Sequence, residues 1–379
     1  MSAVDSRRIA FLLSSLKFGG GERVALNLAH ALKDRGYDID FVLMQAVGEL
    51  LDEATRDFNV IDLQCSRTWK LPARLVRYLT RARPATLVSS FWKLNLCACI
   101  ARPFVPRLKL ALWEHSPPSR SRNSPTWLYF LTASLFYRLA TRVIAVSAGV
   151  ADDIRAITFG IDRKIVTIFN AIPGPEHFVR ARRRRSGRRI IWVGRFAEPK
   201  NPGLMIEAFA RLPSSGYALD LLGDGPMRAD LEKRVDDVGL AARVRFLGYQ
   251  PDVYAHMAHA DLLVTSSDRE GLPTVLVEAL YAGLGIVSTD CGAGIRQILV
   301  DGIYGTIVPP NDPEAMAGAI LRELANPRDP ETQRRGAERF DPVLVSHQFM
   351  AAIDGGTNVQ AEKSLTSSAR PHCPTSPPG

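Results

Sequence analysis

Short runs of uninterrupted apolar residues, each followed by a helical pattern, recur along this chain and leave few folds open to it. Ile9–Leu13, Ile39–Met44, Val60–Leu63, Thr86–Ser89, Lys109–Trp113, Val143–Val146 and Val166–Phe169 form a first series. Strands apolar at nearly every position are covered on both faces, as parallel strands between helices are. Helical segments such as Glu22–Arg35 lie between them. Pro173-Gly174-Pro175 and the arginines between Arg180 and Arg189 then interrupt the pattern, and like-charge repulsion with proline makes this a linker. A second series follows: Ile190–Val193, Ala218–Leu222, Val244–Leu247, Leu262–Thr265, Gly285–Ser288 and Thr306–Val308. Its helices start near Pro202, Pro226, Pro273 and Pro313, since proline suits a first turn. The expectation is an α/β protein of two tandem Rossmann-like domains, 1–172 and 190–339, joined by a linker over 173–189. Residues 340–354 read as a last helix, and 355–379, rich in Ser, Thr, Pro and Gly, as a disordered tail. A length of 379 residues suits two such domains.

Charge is divided unevenly. The net charge is +10 over residues 1–172, +6 over 173–189 and −8 over 190–354. Between Leu63 and Trp113 there are ten basic residues and no acid. Arg67, Lys70, Arg74, Arg77 and Arg81 recur there at three- and four-residue steps, with Leu71, Leu75, Tyr78 and Leu79 on another side. That is the pattern of a basic amphipathic helix, and it points to an anionic membrane surface over 63–113. An ordinary solvated face remains open, because 39 of the 48 basic residues are Arg. No nucleic-acid-binding motif accompanies the patch, so nucleic acid is not expected as a partner.

Other classes are excluded more simply. The longest charge-free apolar stretch, Thr126 to Tyr137, is shorter than the roughly 20 residues that span a bilayer. Arg7-Arg8 before Ile9–Leu13 mimics a signal peptide, but the run breaks at Ser14-Ser15, and a buried first strand explains it better. Five scattered cysteines do not make a disulfide framework, and Cys97-x-Cys99 lacks the companions of a zinc site. A cytoplasmic location follows, peripheral on the inner face of the membrane if the basic patch binds lipid.

Five constellations sit at strand-to-helix turns. Glu270-Gly-Leu-Pro-Thr-Val-Leu-Val-Glu278 follows an expected strand and opens a helix. The free amides of that first turn, at Thr274 and Val275, suit a phosphate, and the two carboxylates suit sugar or ribose hydroxyls, because they only accept hydrogen bonds. Gly194-Arg195-Phe-Ala-Glu-Pro-Lys200-Asn201 places two cations where a leaving diphosphate could be stabilised; a surface ion pair with Glu198 is the lesser alternative. Gly223-Asp224-Gly225-Pro226 allows close ligand approach, or a helix cap at Asp224. Gly19-Gly20-Gly21-Glu22 resembles a dinucleotide loop without the G-x-G-x-x-G spacing, and Met44 and Gln45 offer no acidic ribose partner. Trp113-Glu114-His115-Ser116 ends a strand, where ligands of α/β folds bind.

Together these motifs resemble the GT-B glycosyltransferases, of the retaining family 4 type. The resemblance covers most of residues 9–354. The family's G-R-x4-K-N is Gly194 to Asn201, its G-D-G-P is Gly223 to Pro226, and its E-x7-E is Glu270 to Glu278. Val146-Ser147 and Asn170 stand where the family has V-S and N-G. The resemblance implies two domains facing across a cleft, with the last helix crossing back to the first. It assigns Arg195 and Lys200 to the donor diphosphate, Glu270 to the sugar and Glu278 to the ribose. His115 approaches the sugar from the first domain. Gly19, Gly20, Gly21, Gly223, Asp224, Gly271, Leu272, Thr274 and Val275 complete the expected donor site. The co-substrate is a nucleotide-sugar, with no other cofactor and no metal for catalysis. The chain departs from the family at Gly283-Leu-Gly285, which lacks a proline, at Asn170-Ala171, and at Gln297, where an acid is usual. Asp290-Cys291 resembles subfamilies that use UDP-hexoses or UDP-N-acetylhexosamines.

The expected activity is retaining transfer of a hexose or N-acetylhexosamine, UDP-linked, to a saccharide acceptor. That acceptor would be lipid-linked, or a lipopolysaccharide or polysaccharide precursor. The alternatives are a sugar-nucleotide epimerase or phosphorylase, or a non-catalytic nucleotide-sugar binder, on the same architecture.

Overall fold

The computed structural model describes residues 5–17, 19–120, 126–175, 178 and 187–355. Each of the thirteen apolar runs is a strand in it. The first seven are β1 (Asp5–Leu13), β2 (Asp38–Leu43), β3 (Asn59–Asp62), β4 (Pro84–Ser90), β5 (Lys109–Glu114), β6 (Arg142–Ala145) and β7 (Ile165–Thr167). They form one parallel sheet in the order β3-β2-β1-β4-β5-β6-β7. The second sheet, also parallel, holds β8 (Arg188–Val193), β9 (Tyr217–Leu222), β10 (Val244–Gly248), β11 (Leu262–Thr265), β12 (Gly285–Thr289) and β13 (Thr306–Val308). Its order is β10-β9-β8-β11-β12-β13.

In each sheet the winding reverses once, between β1 and β4 and between β8 and β11. Loops leaving such a pair of strands part in opposite directions and open a crevice at the carboxyl ends. The glycine loop follows β1; the Arg195 loop follows β8 and the Glu270 loop follows β11. Topology thus puts three of the five motifs at crevices.

The cores follow from the continuous apolarity of the strands. Phe11 and Phe41, on neighbouring β1 and β2, are fully buried with ring centroids 5.5 Å apart. Burying each side chain of this size stabilises by about 1.5–3 kcal/mol. The last helix, Pro342–Ile353, packs against the helix Gly20–Asp34 of the first half. Phe349 meets Trp113 at 5.6 Å between centroids, and Lys109 Nζ bonds Asp354 at 2.7 Å. No described helix is long and apolar enough to cross a membrane.

Several expectations need correction. The basic helix spans only Leu71–Ala82; Arg67 is extended and Lys70 lies in a preceding 3-10 turn. Arg74, though exposed, donates to the carbonyls of Leu63 and Gln64, so its guanidinium also caps a chain segment. The helix after Pro226 begins at Arg228, and Pro273 precedes rather than opens the helix Thr274–Tyr281. Most of the arginine-rich linker and nearly all of the expected disordered tail lie outside the described residues.

Candidate active site

The second-domain side is assembled by loops that hydrogen-bond to each other. Asn201 takes a left-handed conformation (φ 44°), and its side-chain oxygen caps the helix Pro202–Ala210 at Leu204 N, 3.2 Å away. Its amide donates to Asp268 at 3.0 Å. Ser266 Oγ accepts from Trp192 Nε1 at 2.9 Å and donates to Asn201 O at 2.7 Å. The loop after β8 is therefore tied to the loop after β11. As a result Lys200 Nζ forms an ion pair with Glu270 Oε1, and Ser267 Oγ donates to the same oxygen at 2.8 Å. Arg195 is exposed and makes no ion pair among the described residues, with Glu198 or any other.

The Gly223-Asp224-Gly225 loop backs this arrangement. Gly223 has φ +138°, and a Cβ there would lie 1.9 Å from Gly194 O. A Cβ at Gly225 would lie 2.5 Å from Phe196 O. Both glycines are demanded by backbone contact with the Arg195 loop. Asp224 does not cap the following helix: it accepts from Gly225 N at 2.7 Å and pairs with Arg228 at 3.1 Å.

Thr274 and Val275 are half-buried at the start of their helix, where backbone amides lack intrahelical partners. Leu272 is buried, so its side chain belongs to the core and only its backbone can serve a ligand. Glu278, half-buried one turn further, is pushed up to about 7 by burial, with the charge of Arg23 pulling it back. That charge sits on the glycine-loop helix, where Arg23 bonds Glu53 at 2.7 Å.

On the first-domain side, His115 follows β5. Its ring lies 4.7 Å from that of Trp113 and 5.2 Å from that of Phe91, and Nε2 is 3.4 Å from Ser90 Oγ. Burial lowers its pKa to about 4. At neutral pH it is an uncharged imidazole, able to donate at one nitrogen and accept at the other. Glu114, beside it, is enclosed: Asn95 Nδ2 donates to its Oε1 at 2.9 Å, Tyr129 OH at 3.1 Å, and Tyr137 OH also donates. Burial raises the Glu114 pKa and these donors pull it down.

The three glycines after β1 are not equivalent. A Cβ at Gly21 would lie 2.7 Å from Phe91 Cζ; at Gly19 it would meet only the mobile end of Glu22, and at Gly20 nothing within 4 Å. At Gly21 the missing Cβ leaves room for the Phe91 ring, while Gly20 faces open space.

The two sides touch. A Cβ at Gly271 would lie 2.0 Å from His115 O, which brings the Glu270 loop onto the His115 turn. Ala148 N donates to Gln297 Oε1 at 2.7 Å, so the residue standing where an acid was expected caps a first-domain helix. Beside these contacts lies a cavity of about 190 Å³, lined from one domain by Ser147, Gly149 and Asp153 and from the other by Glu270, Cys291 and Gly294. Burial pushes the Cys291 thiol up to about 12, so it is a neutral wall.

Sequence reasoning missed Arg23, Phe91 and the partners of Glu114. Arg23 was findable, directly after the Gly-Gly-Gly-Glu loop. Phe91 holds φ 71° and ψ 139°, a strained conformation for a bulky residue that its sequence does not signal.

Comparison with known proteins agrees with the fold. A family model for Glycosyltransferase Family 4 matches residues 18–173, and one for Glycosyl transferases group 1 matches residues 175–340. The chain is 31% identical to the lipopolysaccharide core biosynthesis glycosyltransferase LpsE of Rhizobium meliloti, over 89% of this chain and 94% of that protein. A Campylobacter jejuni protein is 26% identical over 92% of this chain and 100% of its own length. It is the N-acetylgalactosamine-N,N'-diacetylbacillosaminyl-diphospho-undecaprenol 4-alpha-N-acetylgalactosaminyltransferase. Anabaena HepE, solved in complex with UDP, shares the fold with a TM-score of 0.78 at 20% identity, over 92% of this chain and 99% of that one.

Proposed function

Because the chain belongs to the GT-B glycosyltransferases, we propose that it moves a hexose or N-acetylhexosamine from a UDP-sugar to a saccharide acceptor with retention at the anomeric carbon. The acceptor is a lipid-linked saccharide, or a lipopolysaccharide or polysaccharide precursor. One observation carries the reading: Lys200 and Glu270 meet at the crevice of the second sheet, and the Glu270 loop rests on His115 of the first domain.

The chemistry follows from those positions. Lys200 and exposed Arg195 supply the positive charge that a departing nucleoside diphosphate needs, without a metal. Glu270 exchanges its partner Lys200 for sugar hydroxyls as the donor enters. Glu278 accepts from ribose hydroxyls once ionised. Neutral His115 makes a directed hydrogen bond to the sugar or acceptor without opposing the charge that develops on the anomeric carbon. The acceptor hydroxyl attacks on the face from which the diphosphate leaves, and the departing diphosphate oxygen takes the hydroxyl proton. No side chain is assigned as a nucleophile. Enclosure between two domains excludes water that would otherwise hydrolyse the donor. HepE's complex with UDP supports the choice of nucleotide, and the names of the two relatives support the acceptor class. A lipid-linked acceptor is met at a membrane, and the acid-free stretch 63–113 gives affinity for the anionic inner face of the cytoplasmic membrane.

The test is a donor screen with UDP, GDP and ADP sugars on the wild type, Glu270→Ala and Lys200→Ala. Thermal shift and nucleotide release are read with and without a lipid-linked glycan acceptor. A UDP-sugar that stabilises only the wild type, with release that depends on acceptor, supports the proposal. Stabilisation by no nucleotide sinks it. Release of an isomerised sugar without acceptor would mean an epimerase.

A further inference from the structure

The helix Thr126–Phe136 contains no charged residue. One face is buried through Tyr129 and Ala133, and the Tyr129 hydroxyl anchors it to Glu114. The opposite face is also apolar and lies in water: Trp127 is 65% exposed, Phe130 48%, Leu131 58% and Leu135 62%. Surface helices turn polar residues outward; a helix apolar all round belongs in a core or in lipid.

Its surroundings say which. The helix Trp92–Ala101 packs on it, with Trp92 Nε1 donating to Thr132 at 3.2 Å, and in turn packs on Leu71–Ala82. These two neighbours lie inside the acid-free stretch and expose Lys93, Arg77 and Arg81. Arg138, one turn past Leu135, is exposed too. On the neighbouring helix Ala148–Ile157, Asp152 is paired with Arg155 at 2.8 Å and Asp153 holds Ser119 N at 2.9 Å. An uncharged aromatic and aliphatic face flanked by exposed cations matches the boundary between anionic headgroups and acyl chains.

We propose that the Trp127, Phe130, Leu131 and Leu135 face inserts into the surface of an anionic bilayer. This inference rests on the membrane reading above and deepens it. The basic stretch alone gives attraction that salt screens, whereas an inserted apolar face gives binding that persists in salt. The consequence for catalysis is positional. Glu114, which the helix grips, precedes His115, so the inserted helix holds the cleft against the membrane, where a lipid anchor delivers its saccharide.

The test is flotation with vesicles of phosphatidylcholine, alone or mixed with phosphatidylglycerol, at low and high salt. The chains are the wild type, Leu131→Gln/Leu135→Gln and Arg77→Gln/Arg81→Gln, each with its melting temperature measured. Wild-type binding to the mixed vesicles should survive high salt. The leucine pair should weaken that binding about 30-fold or more, and the arginine pair should lose only the low-salt component. Brominated lipid should quench Trp127 fluorescence, with the quenching lost in Trp127→Phe. Anionic binding that salt abolishes and the leucine pair leaves intact overturns insertion but keeps the surface reading. No binding to any vesicle overturns both. A wild-type dimer that the leucine pair dissociates assigns the face to a second copy and overturns the proposal.

Discussion

Glu278→Gln removes a carboxylate held half-buried within reach of the charge of Arg23. Burial pushes this group up to about 7, against 4.5 for an open glutamate. A carboxyl raised in this way binds its proton more tightly in the folded chain than in the unfolded one. Its ionisation therefore leaves stability untouched below pH 4.5. It erodes stability as pH rises towards 7, and adds nothing further above that. At about 1.4 kcal/mol per pH unit, the interval amounts to about 3 kcal/mol, and partial exposure brings it to about 2–3 kcal/mol. Urea denaturation of both chains should give nearly equal stabilities at pH 4.5 and a variant more stable by that amount at pH 8. A difference that stays constant with pH, or a wild type more stable at pH 8, would refute the reasoning. Binding runs the other way. Ribose hydroxyls need the ionised carboxylate, of which about one part in eleven is present one pH unit below 7. Calorimetric titration with a UDP-sugar should give wild-type affinity about tenfold lower at pH 6 than at pH 8. The dependence should vanish in the variant.

Lys200→Ala should lower kcat/KM by about 10²–10³-fold in a nucleotide-release assay, because a donor aimed at developing charge is lost; a fall under threefold would remove it from the leaving-group site. His115, lowered to about 4, should show an imidazole proton resonance that does not move between about pH 5.5 and 8, and a midpoint near 6.5 would contradict its burial. Gly223→Ala should cost about 2–4 kcal/mol in thermal denaturation, since its φ is +138° and the Cβ meets Gly194 O at 1.9 Å. Gly20→Ala, with nothing within 4 Å, should be neutral, and similar melting temperatures for the two would refute the steric account.

Much of the fold was legible because its signals are local. Uninterrupted apolarity marks a doubly covered strand whatever lies elsewhere, so every run became a strand, with ends displaced by a few residues at most. Helix starts shifted for a related reason: at Pro273 the proline precedes the first helical residue, and helix ends depend on capping that composition does not show. The basic helix was overextended because charge spacing alone does not reveal that Arg74 turns onto Leu63 and Gln64.

The sequence by itself determined the two α/β series, the residue types after each strand and the division of charge. Each of these depends only on neighbours along the chain. Tertiary structure decided which residues meet. Lys200 and Glu270 are 70 residues apart and pair because the sheet reverses between β8 and β11. Gly271 meets the His115 backbone, and the charge of Arg23 acts on Glu278, only because the two domains share one cleft. The ionisation of His115 and Glu278 belongs to this second class as well. Water is excluded by groups arriving from distant segments, and no stretch of chain removes its own solvent.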